Sequence, residues 1–148
     1  MTAVYVIPCY NEASRLDAAA FAALLADARV SVLAVDDGSS DSTRSLLEGI
    51  AAAQPRMVVH VMPRNVGKAE AVRSGLNLAL AQGASFVGYA DADFATPPRE
   101  LVRLLDAFTD DIDIVLGSRV QRLGADIRRN AARHFAGRVF ATVSAWTV

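Results

Sequence analysis

Cysteine is nearly missing from this sequence: Cys9 stands alone in 148 residues. A lone cysteine rules out an internal disulfide and fits a reducing compartment. Long apolar runs are missing too. Hydrophobic residues make up 53% of the chain, but much of that is alanine. No uncharged stretch reaches the roughly 18 residues of a membrane span. The start, MTAVYVIPCYNE, has neither a basic n-region nor a small-residue cleavage site, so no signal peptide is expected. Neither sign of charge dominates. The net charge of −1 leaves no electrostatic footprint for nucleic acid. Histidine is scarce: His60 falls inside an apolar strand pattern, and His134 has no second ligand at i+4. Neither G-x-x-x-x-G-K-[ST] nor G-x-G-x-x-G occurs. Their absence argues against a P-loop NTPase and a dinucleotide dehydrogenase.

What the sequence does have is alternation. AVYVIP (3–8), VSVLAVDD (30–37), MVVHVM (57–62), SFVGYAD (85–91) and DIVLGSR (113–119) read as short apolar strands. Helical patterns separate them. LDAAAFAALLADA (16–28) sets Phe21, Leu24, Leu25 and Ala28 at helical spacing. DSTRSLLEGIAAA (41–53) opens with Ser40 or Asp41 as the expected N-cap. GKAEAVRSGLNLALAQG (67–83) carries Val72, Leu76, Ala79 and Leu80 on one face. PPRELVRLLDAF (97–108) starts on proline and repeats Leu101, Leu104, Leu105 and Phe108 at i, i+3, i+4, i+7. Short, continuously apolar strands alternating with helices predict one α/β domain over 1–148, a mostly parallel, Rossmann-like sheet with helices on both faces. Residues 125–148 depart from this rhythm and read as one long helix. Phe135, Val139, Val143 and Trp146 form an apolar stripe near its end. The pattern has no stop signal, so either the chain is expected to continue past Val148 or this end packs on another copy as a homo-oligomer.

Polar residues collect at the carboxyl ends of the expected strands, where open α/β sheets bind ligands. The first strand runs into PCYNE, the second into DDGSSDST, the third into MPRNVGK, the fourth into DAD and the fifth into GSR. In an extended DAD, Asp91 and Asp93 point the same way with Ala92 turned aside. Two such carboxylates repel unless a cation joins them, and oxygen-only ligands suit Mg²⁺ or Mn²⁺. The bland alternative is a solvated loop that caps the next helix. Lys68 opens a helix, where a cation opposes the macrodipole. It is either a phosphate contact or a solvated surface lysine. Arg119 suits a phosphate grip, or an ion pair within the same crevice. Asp37 begins either a ligand-facing turn or an ordinary strand–helix connection. Cys9 has no paired base in sequence and is not expected to be a nucleophile.

Taken together, VIPCYNEASRL, VDDGSSDST, NVGKAEAVRSGL, DADFATPP and VLGSR resemble, in order and spacing, the family 2 glycosyltransferases with the GT-A fold. The nearer resemblance is to polyprenol- and dolichyl-phosphate sugar synthases. It implies an inverting glycosyltransferase that moves a hexose from a nucleotide-diphosphate sugar to a polyprenyl phosphate. Pro8, Tyr10, Glu12 and Asp37 would surround the base and ribose. Lys68, Ala92, Asp91 and Asp93 would complete the nucleotide-sugar site, with Asp91 and Asp93 on Mg²⁺ or Mn²⁺ and Asp93 also catalytic. Arg119 would act on the acceptor phosphate during catalysis, joined there by Arg133. The lipid-phosphate mannose synthases of this resemblance carry a DADLQ-type motif whose glutamine joins the metal shell, where this chain has Ala95. DADFAT looks more like the DADGAT of dolichyl-phosphate glucosyltransferases, which favours UDP-glucose over GDP-mannose. Such enzymes usually run longer, so the chain resembles their nucleotide-binding part. The expected location is cytoplasmic, at most peripheral on the cytoplasmic membrane face. Two other readings are a fragment that binds nucleotide or self-associates without catalysis, and a sugar-1-phosphate nucleotidyltransferase. The latter is disfavoured because PCYNEASRL has no glycine-rich basic loop.

Overall fold

The computed structural model describes residues 2–117. Strands and helices alternate as β1 (Ala3–Cys9), α1 (Ala18–Leu25), β2 (Val30–Asp36), α2 (Thr43–Ala52), β3 (Met57–Val61), α3 (Lys68–Ala81), β4 (Phe86–Tyr89) and α4 (Pro98–Leu105). The strands form one sheet in the order β3-β2-β1-β4, and every pairing is parallel. The register of β1 on β2 runs from Ala3↔Val30 to Cys9↔Asp36, and that of β1 on β4 from Ala3↔Phe86 to Val6↔Tyr89.

Side chains alternate across this sheet, so each strand feeds two cores. Tyr5, Ile7, Cys9, Val32 and Ala34 pack with Phe21 and Leu24 of α1, Leu47 of α2 and Leu101 of α4. Val6, Leu33 and Val35 point the other way and meet Ala71 and Ala79 of α3. Helices therefore cover both faces, as the continuous apolar strands require.

Three local expectations need correction. Helix α3 buries Ala71, Gly75 and Ala79, while Leu80 is half exposed. The face is rotated because α3 approaches the sheet closely through small residues. A Cβ on Gly75 would lie 2.4 Å from Val6 Cγ1 and 2.9 Å from Val35 Cγ2. The N-cap of α2 is Ser42, with no side-chain cap bond of its own. Asp41 does that work one residue earlier, its Oδ1 accepting from the Thr43 N–H at 2.9 Å. Finally, 113–117 of the expected fifth strand is not a strand. Asp110, Asp111 and Asp113 crowd its start, a residue type depleted in strands, and Ile114 is largely exposed. Ser118, Arg119 and the expected helix over 125–148 lie outside the described residues.

Candidate functional site

In the order β3-β2-β1-β4 the chain winds outward from β1 through β2 to β3, then returns to β1's other side with β4. The direction reverses between β1 and β4, and the crevice beyond the carboxyl ends of two such strands is where open α/β sheets hold ligands. Residues Tyr10–Glu12 follow the end of β1 and Asp91–Asp93 the end of β4, the two strands on either side of that reversal.

The β1 side is stapled to the loop after β2. Asn11 takes a left-handed backbone with φ 52°, a conformation asparagine tolerates better than most residues. Its N–H donates to Ser39 Oγ at 3.0 Å, and its Oδ1 accepts from the Ser40 N–H at 2.9 Å. The Glu12 N–H donates to buried Thr43 Oγ1 at 2.8 Å, and the Ala13 N–H to Asp41 Oδ2 at 3.2 Å. Tyr10 is left half exposed at the rim, and Pro8 sits within β1 opposite Val35. Glu12 Oε2 lies 2.7 Å from Arg15 Nη2, an ion-pair distance, yet no donor meets that buried oxygen along a hydrogen-bond direction.

The β2 end turns inward. Asp36 is buried and accepts from the Ser39 N–H at 3.2 Å. Asp37 is only 2% exposed. Its carboxylate accepts from the Val66 N–H at 2.9 Å, the Gly67 N–H at 2.9 Å and Asn65 Nδ2 at 3.1 Å. Asp37 thus ties the loop after β3 to the loop after β2. Gly38 makes the tie possible: its φ is 67°, and a Cβ there would lie 2.5 Å from the carbonyl carbon of Arg64.

The β4 end turns outward, and apolar anchors set it. Ala92 is 6% exposed and belongs to the core beneath α1 and α4. Phe94, at φ 46°, packs edge-on against Phe21 with ring centroids 5.0 Å apart. The Phe94 N–H donates to the Asp91 carbonyl at 3.0 Å, closing a turn. With Ala92 and Phe94 held inside, Asp91 and Asp93 are both exposed. Asp93 Oδ1 accepts from the Ala95 N–H at 3.0 Å. Lys68, the first residue of α3, pairs through Nζ with Asp91 Oδ1. That hydrogen bond raises the lysine's pKa above its ordinary value, opposed by desolvation and aided by the charges of Asp91, Tyr89 and Asp93.

The structure therefore brings Lys68, Asp91 and Asp93 together, and joins the loop of Tyr10 and Glu12 to the loop that follows Asp37. Arg119 and Arg133 lie outside the described residues. Asn11 and Thr43, which hold two of the loops, were not singled out by sequence. The DAD carboxylates offer oxygen donors only, and no third His, Cys, Asp or Glu joins them among the described residues. That donor set fits Mg²⁺ or Mn²⁺, which bind through one or two carboxylates with water and substrate phosphates in the remaining positions.

Cys9 ends β1 beside this site but is fully buried. Burial pushes its thiol up to about 12, helped by the charges of Glu12 and Asp36. Since the fold disfavours the thiolate, this group's stabilising contribution is present below its unfolded value near 9 and is lost as pH rises toward 12. The native chain is expected to resist DTNB at pH 8 and to react promptly in denaturant. Fast reaction of the folded chain would contradict this placement of Cys9.

The profile described as Glycosyl transferase family 2 matches residues 5–145. The chain belongs to this family. It is 40% identical over 116 residues to polyprenol monophosphomannose synthase of Mycolicibacterium smegmatis, covering 77% of this chain and 43% of that protein. It is 34% identical over 133 residues to undecaprenyl-phosphate 4-deoxy-4-formamido-L-arabinose transferase of Sodalis glossinidius, covering 86% and 40%. The chain thus spans less than half the length of these curated relatives. Among solved structures it is similar to a mannosyltransferase from Pyrobaculum calidifontis in complex with GDP-Man and Mn²⁺, with a TM-score of 0.51 and 28% identity over 62% of this chain and 27% of that one. The S. aureus TarS structure, at TM-score 0.51 and 24% identity over 63% of this chain and 17% of that one, shares the fold. The sheet and its helices are those of a GT-A glycosyltransferase domain.

Proposed function

We propose that this chain is the donor-binding part of an inverting glycosyltransferase that moves a hexose from a nucleotide-diphosphate sugar to a polyprenyl phosphate. The observation that carries the reading is the outward pair Asp91 and Asp93, with Lys68 beside it, at the strand-order reversal. Both curated relatives described above are named for polyprenol or undecaprenyl-phosphate chemistry.

In this reading Asp91 and Asp93 hold Mg²⁺ or Mn²⁺, which when bound neutralises charge on the departing nucleoside diphosphate. Lys68 brings a further positive charge to the same diphosphate. Tyr10 and Glu12 border the base and ribose on the β1 side, with Pro8 behind them. Asp37 serves the nucleotide by fixing the loop 65–67, its carboxylate being spent on three internal donors. Arg119 and Arg133 are assigned to the acceptor phosphate on the sequence resemblance. A phosphate monoester has its second pKa near ~6 and is largely ionised at pH 7. Such an acceptor attacks the sugar C1 without a general base. It also brings the site to a membrane surface, on the cytoplasmic face in this reading. Among the described residues no helix is long and apolar enough to cross a membrane.

Thermal unfolding of the chain with UDP, GDP, UDP-glucose and GDP-mannose, each with and without Mn²⁺, tests this reading. A ligand at 100 times its Kd adds about 2.7 kcal/mol, or roughly 5–10 °C for a chain of this size. The expected shift needs the metal. The donor panel also decides between UDP-glucose, favoured by DADFAT, and GDP-mannose, which the Pyrobaculum calidifontis neighbour binds. A folded sample that no nucleotide stabilises at any metal concentration would sink the proposal.

A further inference from the structure

We infer that Lys68 is an exchangeable counter-ion for Asp91, one that holds the carboxylate against bare metal ions and turns to the diphosphate when metal and nucleotide arrive together. This inference rests on the reading that Asp91 and Asp93 carry a divalent cation.

The pairing crosses the strand-order reversal, from the first residue of α3 to the residue two past the end of β4. Its position is not one the helix favours, because an ammonium at a helix N-terminus opposes the macrodipole. The acid in the first turn of α3 does not compensate Lys68 either. Glu70 is engaged by Arg73, with Nη2–Oε1 at 2.5 Å and Nε–Oε2 at 2.8 Å. The acidic groups that face Lys68 are Asp91 directly, with Tyr89 and Asp93 nearby.

A divalent ion at Asp91 and the ammonium of Lys68 compete for the same oxygen. Their charges repel, so metal entry requires the lysine to leave. Leaving is cheap, since the side chains are 61% and 46% exposed and exposed pairs are weak. The four-carbon stem lets the ammonium reorient. A diphosphate on the metal gives it a new anionic partner. Lys68 therefore has effects of opposite sign: it weakens binding of the metal alone and strengthens binding of metal with nucleotide. The site is tuned to admit the two together.

The test uses the full 148-residue chain. Free Mn²⁺ is followed by electron paramagnetic resonance, and UDP and GDP binding at saturating Mn²⁺ by calorimetry. Lys68→Met is expected to tighten Mn²⁺ alone about two- to fivefold, the value of an exposed ion pair. The same variant is expected to weaken UDP or GDP about tenfold, the value of one charge-assisted hydrogen bond. In the Asp91→Asn background the Lys68→Met effect on Mn²⁺ should shrink, because the negative charge that both cations share is gone. A merely structural lysine would move both affinities in one direction or neither. Unchanged or weaker Mn²⁺ binding by Lys68→Met overturns the exchange, and so does unchanged nucleotide binding. If Asp91→Asn still weakens Mn²⁺ in that case, the metal reading stands without it. If Mn²⁺ binding ignores Asp91→Asn, the metal reading falls and the exchange falls with it.

Discussion

Asp91→Asn is expected to give a chain that folds as before but gains no thermal stability from UDP or GDP in the presence of Mn²⁺. The folded state loses little. Asp91 is exposed, and its pairing with Lys68 is a surface ion pair worth about 0–1 kcal/mol. The turn itself is held from inside by Ala92 and by the Phe94–Phe21 contact, and the Asp91 main-chain carbonyl still accepts from Phe94. What is lost is one of the two carboxylates proposed to hold the metal, with no third beside them among the described residues. Removing one preorganised charge-stabilising group commonly costs about 10²–10³ in rate, and a comparable loss is expected for the proposed sugar transfer. Circular dichroism with a melt reads the first half, and the nucleotide-dependent shift reads the second. A variant that UDP or GDP with Mn²⁺ stabilises as well as the parent would show that Asp91 holds no metal.

Asp37→Ala should do the reverse, costing fold stability first and binding only through it. The carboxylate is buried and accepts from Val66, Gly67 and Asn65 at once. Hydrogen bonds to a charged group contribute about 1.5–3 kcal/mol each, although the donors sit on exposed or half-buried residues that water can reach. Some rehydration of the loop offsets this, so a net loss of about 3–5 kcal/mol is expected. Against a total stability of about 5–15 kcal/mol that is a large fraction. Asp37→Asn keeps one acceptor oxygen and should fall between. Urea midpoints at a common slope give the three values. A change below about 1 kcal/mol for Asp37→Ala would mean that the loop does not depend on this carboxylate.

The two aspartates show what was legible in the sequence and what was not. The DAD carboxylates are exposed and Ala92 is buried, as the sequence suggested, but the motif is a turn closed by the Phe94 N–H on the Asp91 carbonyl and not the extended segment that the alternation assumed. The four strands and four helices of the described residues followed from apolar runs and helical spacing in the same way. Asp37 looked like a comparable strand-end acid, yet it turns inward, because its donors come from residues 65–67 across a gap no local pattern reveals. Asn11 escaped notice for a related reason. Its role depends on a positive φ and on three partners some thirty positions away. The face of α3 was only partly placed: Ala79 was expected and is buried, but bulky Val72, Leu76 and Leu80 were set beside it instead of Ala71 and Gly75, and close approach favours the smallest side chains. The expected fifth strand failed in its described part because three acids outweigh a few apolar residues that follow them.

The bonds that tie Asn11, Glu12 and Ala13 to Ser39, Ser40, Asp41 and Thr43 carry a practical consequence for redesign. Replacing 10–13 alone with a relative's segment is expected to break the fit, since the Asn11 side chain and the main-chain donors are matched to the hydroxyls and carboxylate of 39–43. The two segments form one graftable cassette.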